Sequence, residues 1–399
     1  MNVSEKRIFT PKTTICSLIK EMTATFEDEL PLYSLSAAEA SRQKELLTFI
    51  SQVTDGVSGV DVSGKSRSKV AVIGGGDLAL ACLLAISSKR AADSLVLIDV
   101  SDGGSKGGGT TDLQLFTIPD LEISKVRKKK IMRHSPRISC EDCDLYWRKM
   151  KITSIRTSDL FRLADSKVIV ITLNAWRSAQ SYLEVLQSNV NLLRGFVPAV
   201  SYHCPNSVLV IASQPVEIMT YVAWKLSGLP SSQVIGIGCN LDSARFQDVV
   251  KTLTSSSEES QTGWVIGEQG ANKVAAWSDP ASENNHKPGK IYPKLFQEQL
   301  TNRAMEIIID KGQRSWSIGL SVADLVDTIV QNKKKVHSVS SLAKGFFNIQ
   351  NDVFLSVPCV LGDSGVLGSP QILQHEDHVF DTLHRSAASI HNLQRQLNL

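Results

Sequence analysis

The sequence predicts an α/β protein in which a doubly wound parallel sheet is followed by a smaller α+β domain. Three observations carry this reading. From Lys69 to about residue 260, short apolar strand-like runs alternate with helical segments, the pattern of βαβ units. A glycine-rich turn, Gly74-Gly75-Gly76-Asp77-Leu78-Ala79, stands between the first such strand and the first such helix. Beyond residue 260 the alternation gives way to hairpin-like strands and long helices.

Taken in order, residues 13–29 read as a helix because Ile15, Leu18, Ile19, Met22 and Phe26 recur at three- and four-residue steps, with Thr13 or Thr14 to cap and Pro31 to stop. A second helix opens at Ser36, whose partner Glu39 completes an S-x-x-E capping box, and runs to about Val53. Neither helix can bury its apolar stripe alone, so both must dock. Residues 54–68 form a Gly/Ser/Asp-rich linker. Strands follow at 69–73, 95–99, 167–172, 207–212 and 233–237, with helices at 77–89, 178–200, 215–227 and from Asp242 onward. The α+β region holds helices at 293–311, 317–332 and 375–397, with two strands ending at Pro358.

The glycine-rich turn matches G-x-G-x-x-G/A, the Rossmann-type dinucleotide signature. Its first glycine allows a tight turn and its second lets a pyrophosphate approach the backbone at a helix N-terminus. The small third residue lets helix and strand pack closely. Asp99 ends the next strand about 20 residues on, where a carboxylate would accept hydrogen bonds from an adenosine ribose, so the set points to NAD. The alternative is a turn of this type kept only for structure. Gly59–Ser66 matches the phosphate-binding pattern G-x-x-x-x-G-K-[ST] letter for letter. That motif needs a strand before it and a helix after it, the reverse of this context, so it reads as linker. Residues 101–111 are glycine-rich without either motif's order. Cys140 and Cys143 form a solitary C-x-x-C with only His134 nearby, short of a zinc site's four ligands, and no metal site is expected.

Seven scattered cysteines point to a reducing compartment, and no basic–apolar leader opens the chain. The longest apolar runs are far too short to cross a bilayer. A formal charge of +3 hides an asymmetry. Residues 125–156 hold 11 Lys and Arg against 3 acids, leaving 32 basic and 37 acidic residues elsewhere. An acidic body with a basic, exposed insertion argues against nucleic-acid binding, with a nuclear or nucleic-acid signal at Arg127–Lys130 as the alternative.

Several stretches resemble the L-lactate/malate dehydrogenase family, in particular its lactate branch. They are Lys69–Gly74 (KVAVIG), Tyr221–Gly228 (YVAWKLSG), Val234–Phe246 (VIGIGCNLDSARF), Gly263–Glu268 (GWVIGE), Ser315–Asp324 (SWSIGLSVAD) and Asp352–Cys359 (DVFLSVPC). The N-terminal helix and Glu29–Ser34 (ELPLYS) are similar to the end of a ubiquitin-conjugating enzyme variant (UEV) domain. The resemblance implies four regions: a UEV remnant at 1–35, a helix and linker at 36–68, a Rossmann NAD-binding domain at 69–240 carrying the insertion at 125–156, and a dehydrogenase-like α+β domain at 241–399. So short a UEV stub is not expected to bind ubiquitin in the family manner. Ubiquitin-pathway partners through a full UEV domain, negative regulation of ubiquitin chain formation, a homo-oligomer, and a cytoplasmic location with the nucleus as a second site are further implications.

The resemblance also assigns roles, and here the chain departs from the family. Asp242 matches the orienting carboxylate and Arg245 the fork that binds the substrate carboxylate. The proton-donating His of Gly-Glu-His-Gly is Gln269, which cannot titrate. The mobile-loop Arg that polarises the carbonyl aligns with Tyr182, a neutral donor. Gln214 replaces an Asn and Arg314 a Thr beside the substrate, while Arg177 matches a loop Arg near the cofactor. The expectation is a pseudo-dehydrogenase with an NAD site and a pocket for a small carboxylate or other anion. The rival reading is an active NAD-dependent oxidoreductase acting on the CH–OH group of a 2-hydroxy acid.

Overall fold

A computed structural model describes residues 68–100, 121–125, 162–175, 181–254, 262–277, 294–369 and 377–399. The two N-terminal helices, the phosphate-motif match, the Gly-rich run at 101–111, the Cys140/Cys143 pair, Arg177 and the insertion after Lys125 lie outside the described residues.

The chain from Arg67 to Leu399 forms one compact unit built on a sheet that holds nine strands among the described residues. Strands β1 (Lys69–Gly74), β2 (Ser94–Asp99), β3 (Leu121–Lys125), β4 (Val168–Ile171), β5 (Val208–Ile211) and β6 (Val234–Gly236) run parallel in the order 3-2-1-4-5-6. Among the described residues, the helices between them are α1 (Gly76–Ser88), α2 (Tyr182–His203) and α3 (Val216–Ser227). Next come α4 (Asn240–Thr254), the hairpin β7 (Gly263–Ile266) and β8 (Val274–Trp277), α5 (Lys294–Lys311) and α6 (Ser315–Val330). Strands β9 (Lys335–Leu342), β10 (Phe354–Gly362) and β11 (Gly365–Gly368) are antiparallel and extend the β6 edge of the same sheet, Gly236 lying opposite Ser340. Helix α7 (Asp377–Gln396) ends the chain. The boundary expected at 240/241 therefore falls in the first turn of α4, and the C-terminal strands continue the sheet. Strands β3 and β11 were not legible in the sequence. Lys125, expected to open the insertion, is the last residue of β3.

Local chemistry sets the element ends. Helix α2 starts at Tyr182 rather than residue 178 because Ser181 caps it: its hydroxyl accepts from Glu184 N while the Glu184 carboxylate accepts from Ser181 N at 2.8 Å. Gly228 stops α3 in the left-handed region, at φ 67°, and donates to Trp224 O.

The sheet is covered on both faces, so its central strands are apolar throughout. Val70, Val72, Val168, Val170, Val208 and Val210 pack with α1 and α6. Ala71, Ile73, Ile169, Ile171, Leu209 and Ile211 face α2 and α3. Helices α1 and α6 approach so closely that a Cβ on Gly319 would sit 2.6 Å from Ala81 O. Where α4, α6 and β9 meet, His337 is buried with Nδ1 2.9 Å from Asn240 Oδ1 and Nε2 2.8 Å from Thr328 Oγ1.

Burial lowers the His337 pKa to about 4 from its ordinary 6.5, although Asp324 lies 3.6 Å away. The unfolded chain therefore binds an extra proton between those values, and stability falls as pH drops from 6.5 to 4. Urea unfolding of the wild type across that window should show a loss of about 3 kcal/mol more than a His337→Asn variant shows. Parallel curves for the two proteins would contradict the assignment.

Candidate functional site

In a doubly wound sheet the chain crosses to opposite faces where strand order reverses, leaving a crevice at the carboxyl ends of the strands. Here that point lies between β1 and β4. Gly74 ends β1 against Thr172 at the end of β4, where a Cβ would run into the threonine hydroxyl. Gly76 opens α1 at φ 70°, a left-handed conformation that glycine adopts without strain, and a Cβ there would meet nothing within 4 Å. Gly75 between them is extended, and Ala79 is fully buried, as close helix–strand packing requires. Asp99, paired in register with Gly74, is buried at the end of β2. This open glycine cradle, the helix N-terminus and the nearby acid fit a dinucleotide. One feature works against tight binding. Asp77 places an exposed carboxylate in the first turn of α1, where it competes with a bound pyrophosphate for the same positive helix end. Leu78 is half-buried against the core.

The loops after β4 and β5 are tied together beside that cradle. Asn174 Oδ1 accepts from Gln214 N at 2.9 Å, and Asn189 of α2 donates to Gln214 O at 3.0 Å. The Gln214–Pro215 peptide is cis. Gln214 Nε2 then donates to Gln269 Oε1 at 3.0 Å, while Gln269 Nε2 donates to Gly238 O at 3.0 Å. The side chain of residue 269 is thus held between two neutral partners. Its main-chain N–H donates to Glu217 Oε1 at 2.9 Å.

Glu217 was not anticipated. It sits in the first turn of α3, 2% exposed, with the Ser356 hydroxyl 3.4 Å from the same oxygen. Burial, aided by the charge of Glu268 and opposed by the Gln269 and Ser356 hydrogen bonds, raises its pKa to about 7. Tyr182, first residue of α2 and largely exposed, lies within the field of Glu268 and Glu217, and its phenol is raised by burial and then by those two acids.

Asp242 is completely buried in the first turn of α4. It bonds not to Gln269 but to Lys273 Nζ at 2.8 Å and Gln313 Nε2 at 2.9 Å, with Arg245 Nη1 3.6 Å away. Arg245 Nη1 also donates to Gly312 O at 2.7 Å. Arg314 follows Gln313, exposed, as the residue before α6. The structure therefore brings together two groups: Gln214 with Gln269, and Asp242 with Arg245 and the 312–314 segment. Lys273 and Gln313 also escaped sequence reasoning. Both lie within four residues of a recognised position, but nothing in their spacing marks a side chain that turns back onto α4. Among the described residues no group of three His, Cys, Asp or Glu side chains comes together as a metal site.

Comparison with known proteins agrees with this architecture. The lactate/malate dehydrogenase NAD-binding domain matches residues 120–236, and the lactate/malate dehydrogenase alpha/beta C-terminal domain matches residues 239–396. Ubiquitin-conjugating enzyme E2 variant 3 of Xenopus tropicalis is 53% identical over 98% of this chain and 75% of its own length. The protein of the same name from Danio rerio is 41% identical over the same shares. The L-lactate dehydrogenase B chain of Sceloporus undulatus is 34% identical over 84% of this chain and 94% of its own.

The raised pKa of Glu217 fixes a sign. Its folded form holds a proton that the unfolded form has lost between pH 4.5 and 7, so its stabilising contribution is complete below pH 4.5 and is lost as pH rises to 7. Relative to wild type, a Glu217→Gln variant should gain up to about 3 kcal/mol in unfolding free energy across that interval, as read from urea midpoints at pH 5 and pH 8. A constant difference between the two proteins at all pH values would contradict this.

Proposed function

This chain belongs to the lactate/malate dehydrogenase family, and we propose that it works as a dehydrogenase-like module that binds NAD and a small carboxylate without turning lactate over. The observation that carries the reading is the environment of Gln269. An amide shared between the Gly238 carbonyl and Gln214 can position a ligand but cannot supply or take a proton. Loss of acid–base work costs about 10²–10⁴ in rate. A neutral Tyr182 in place of a cation costs a further factor of about 10²–10³ in stabilising the developing oxyanion. These terms need not add, yet together they remove most of an ordinary enzyme's acceleration.

What remains is suited to recognition. Gly74, Gly75, Gly76 and Asp99 would hold the dinucleotide, whose nicotinamide, when bound, supplies redox chemistry. Arg245 would take the ligand carboxylate, with Gln214, which bonds to Gln269, and Arg314 as the further ligand-facing residues. The names of the Xenopus and Danio relatives extend the reading to the ubiquitin pathway, where restraint of ubiquitin chain formation, in the cytoplasm or nucleus, would need a full variant domain, of which residues 1–35 resemble only the end. Trp316 and Leu320, 63% and 51% exposed one turn apart on α6, form an apolar stripe that supports self-association.

Titration with NADH should enhance nicotinamide fluorescence on binding, while pyruvate, oxaloacetate and longer 2-oxo acids leave bound NADH unoxidised. Replacing Asp77 by Asn should tighten NADH roughly two- to fivefold by removing the competing carboxylate. The double variant Gln269→His with Tyr182→Arg should raise any residual rate. Turnover by the wild type at ordinary enzyme rates of about 1–10³ s⁻¹ would overturn the proposal. Absence of NADH binding would remove its cofactor half.

A further inference from the structure

The turn from Gly267 to Lys273 rests on two buried carboxyls that are compensated in different ways. Asp242 has cations against it, Lys273 Nζ at 2.8 Å and Arg245 Nη1 at 3.6 Å. Glu217, 2% exposed in the first turn of α3, has none. Its Oε1 accepts from the Gln269 main-chain N–H at 2.9 Å and from the Ser356 hydroxyl at 3.4 Å. Among the described residues no lysine, arginine or histidine pairs with it. A carboxylate buried without a cation is costly, and such a group relieves the cost by taking a proton. The turn itself does not depend on that proton, because Gly267 and Ser356 exchange two main-chain hydrogen bonds at 2.8 Å.

Each element around Glu217 was weighed for competing groups. Burial raises Glu217 to about 7, with the charge of Glu268 adding and the bonds from Gln269 and Ser356 opposing. Glu268, on the turn, is tied to Asn272 Nδ2 at 3.2 Å. Before α4, burial and then the charge of Glu217 push the Cys239 thiol far up. From α2, the Tyr182 phenol is raised by burial and then by Glu268 and Glu217. The thiol and the phenol therefore stay neutral while Glu217 titrates.

We propose that Glu217 is a proton-uptake site through which the cleft's hold on an anionic ligand depends on pH. This rests on the carboxylate-binding reading above and adds a regulation to it. Gln269 connects the two places. Its side chain lies between Gln214 and Gly238 in the cleft, while its peptide N–H donates to Glu217 behind it. An anion in the cleft and an ionised Glu217 are like charges in one poorly solvated region, so each disfavours the other. Anion binding then draws a proton from solvent onto Glu217, and rising pH loosens the anion by the same linkage.

Calorimetric titration of the full chain with pyruvate in excess NADH, from pH 6 to pH 8 at fixed ionic strength, tests this. Pyruvate stays ionised throughout, and its affinity should fall roughly five- to tenfold across the range. At pH 7.5, heats measured in two buffers of different ionisation enthalpy should show about half a proton taken up per pyruvate bound. Glu217→Gln keeps an acceptor for the Gln269 N–H and should abolish both the uptake and the pH dependence. Glu268→Gln leaves Glu217 in place and lightens its field, so the uptake should persist with the fall in affinity moved to lower pH. That second variant keeps the test sound where the first fails to fold. Affinity flat with pH in the wild type, a fall unchanged in a folded Glu217→Gln variant, or one unmoved by Glu268→Gln overturns the proton site and leaves the carboxylate pocket standing. Failure of pyruvate to bind at every pH overturns both.

Discussion

A carboxylate withdrawn completely from water must be compensated, and in this protein that requirement gathers the cleft around Asp242. Its partners come from three places: Arg245 one turn along α4, Lys273 at the entry to β8, and Gln313 just before α6. Helix α4, the β7–β8 hairpin and the start of α6 are therefore held by one buried charge. Removing any donor would leave that charge partly unmet, at a cost of several kcal/mol for a buried ion.

The same compensation explains why the proton chemistry differs from what the dehydrogenase resemblance suggests. Asp242 spends both oxygens on Lys273, Gln313 and Arg245, so it does not orient residue 269. Gln269 is oriented instead by Gln214, which donates to its amide oxygen, and by a main-chain carbonyl, which accepts from its amide nitrogen. The group at this cleft that titrates near neutrality is Glu217. It faces the peptide of Gln269, the hydroxyl of Ser356 and the charge of Glu268, with Cys239 in the same field. A titratable carboxyl behind the cleft and a non-titrating amide at its centre are the observations on which the proposed binding role rests.

Much of the parallel sheet was legible because buried parallel strands are apolar on both faces, so Lys69–Ile73 or Val208–Ile211 stand out as runs. Strand β3 was not, because Leu121–Lys125 alternates apolar with charged or polar residues and sits beside the basic stretch. Strand β11 is four residues long and bounded by glycines. The split at 240/241 follows a change in sequence texture that marks new kinds of element, and the pairing of β9–β11 back onto the β6 edge is a long-range contact that such texture does not carry. At the site, Asp242, Arg245 and Gln269 were legible through family motifs. Lys273 and Glu217 were not, since their roles come from hydrogen bonds made across 31 and 52 residues of sequence, to a side chain in one case and from a main-chain N–H in the other.

The proposed cleft binds NADH and a 2-oxo acid without carrying out reduction, which is open to a direct test. Transfer of deuterium from nicotinamide-deuterated NADH to a 2-oxo acid, followed by mass spectrometry of the 2-hydroxy acid, tests it with the greatest sensitivity. No labelled product above the uncatalysed background is expected when NADH is bound and the oxo acid saturating. Labelled 2-hydroxy acid accumulating through many turnovers per chain, and lost on Gln269→Ala, would contradict it.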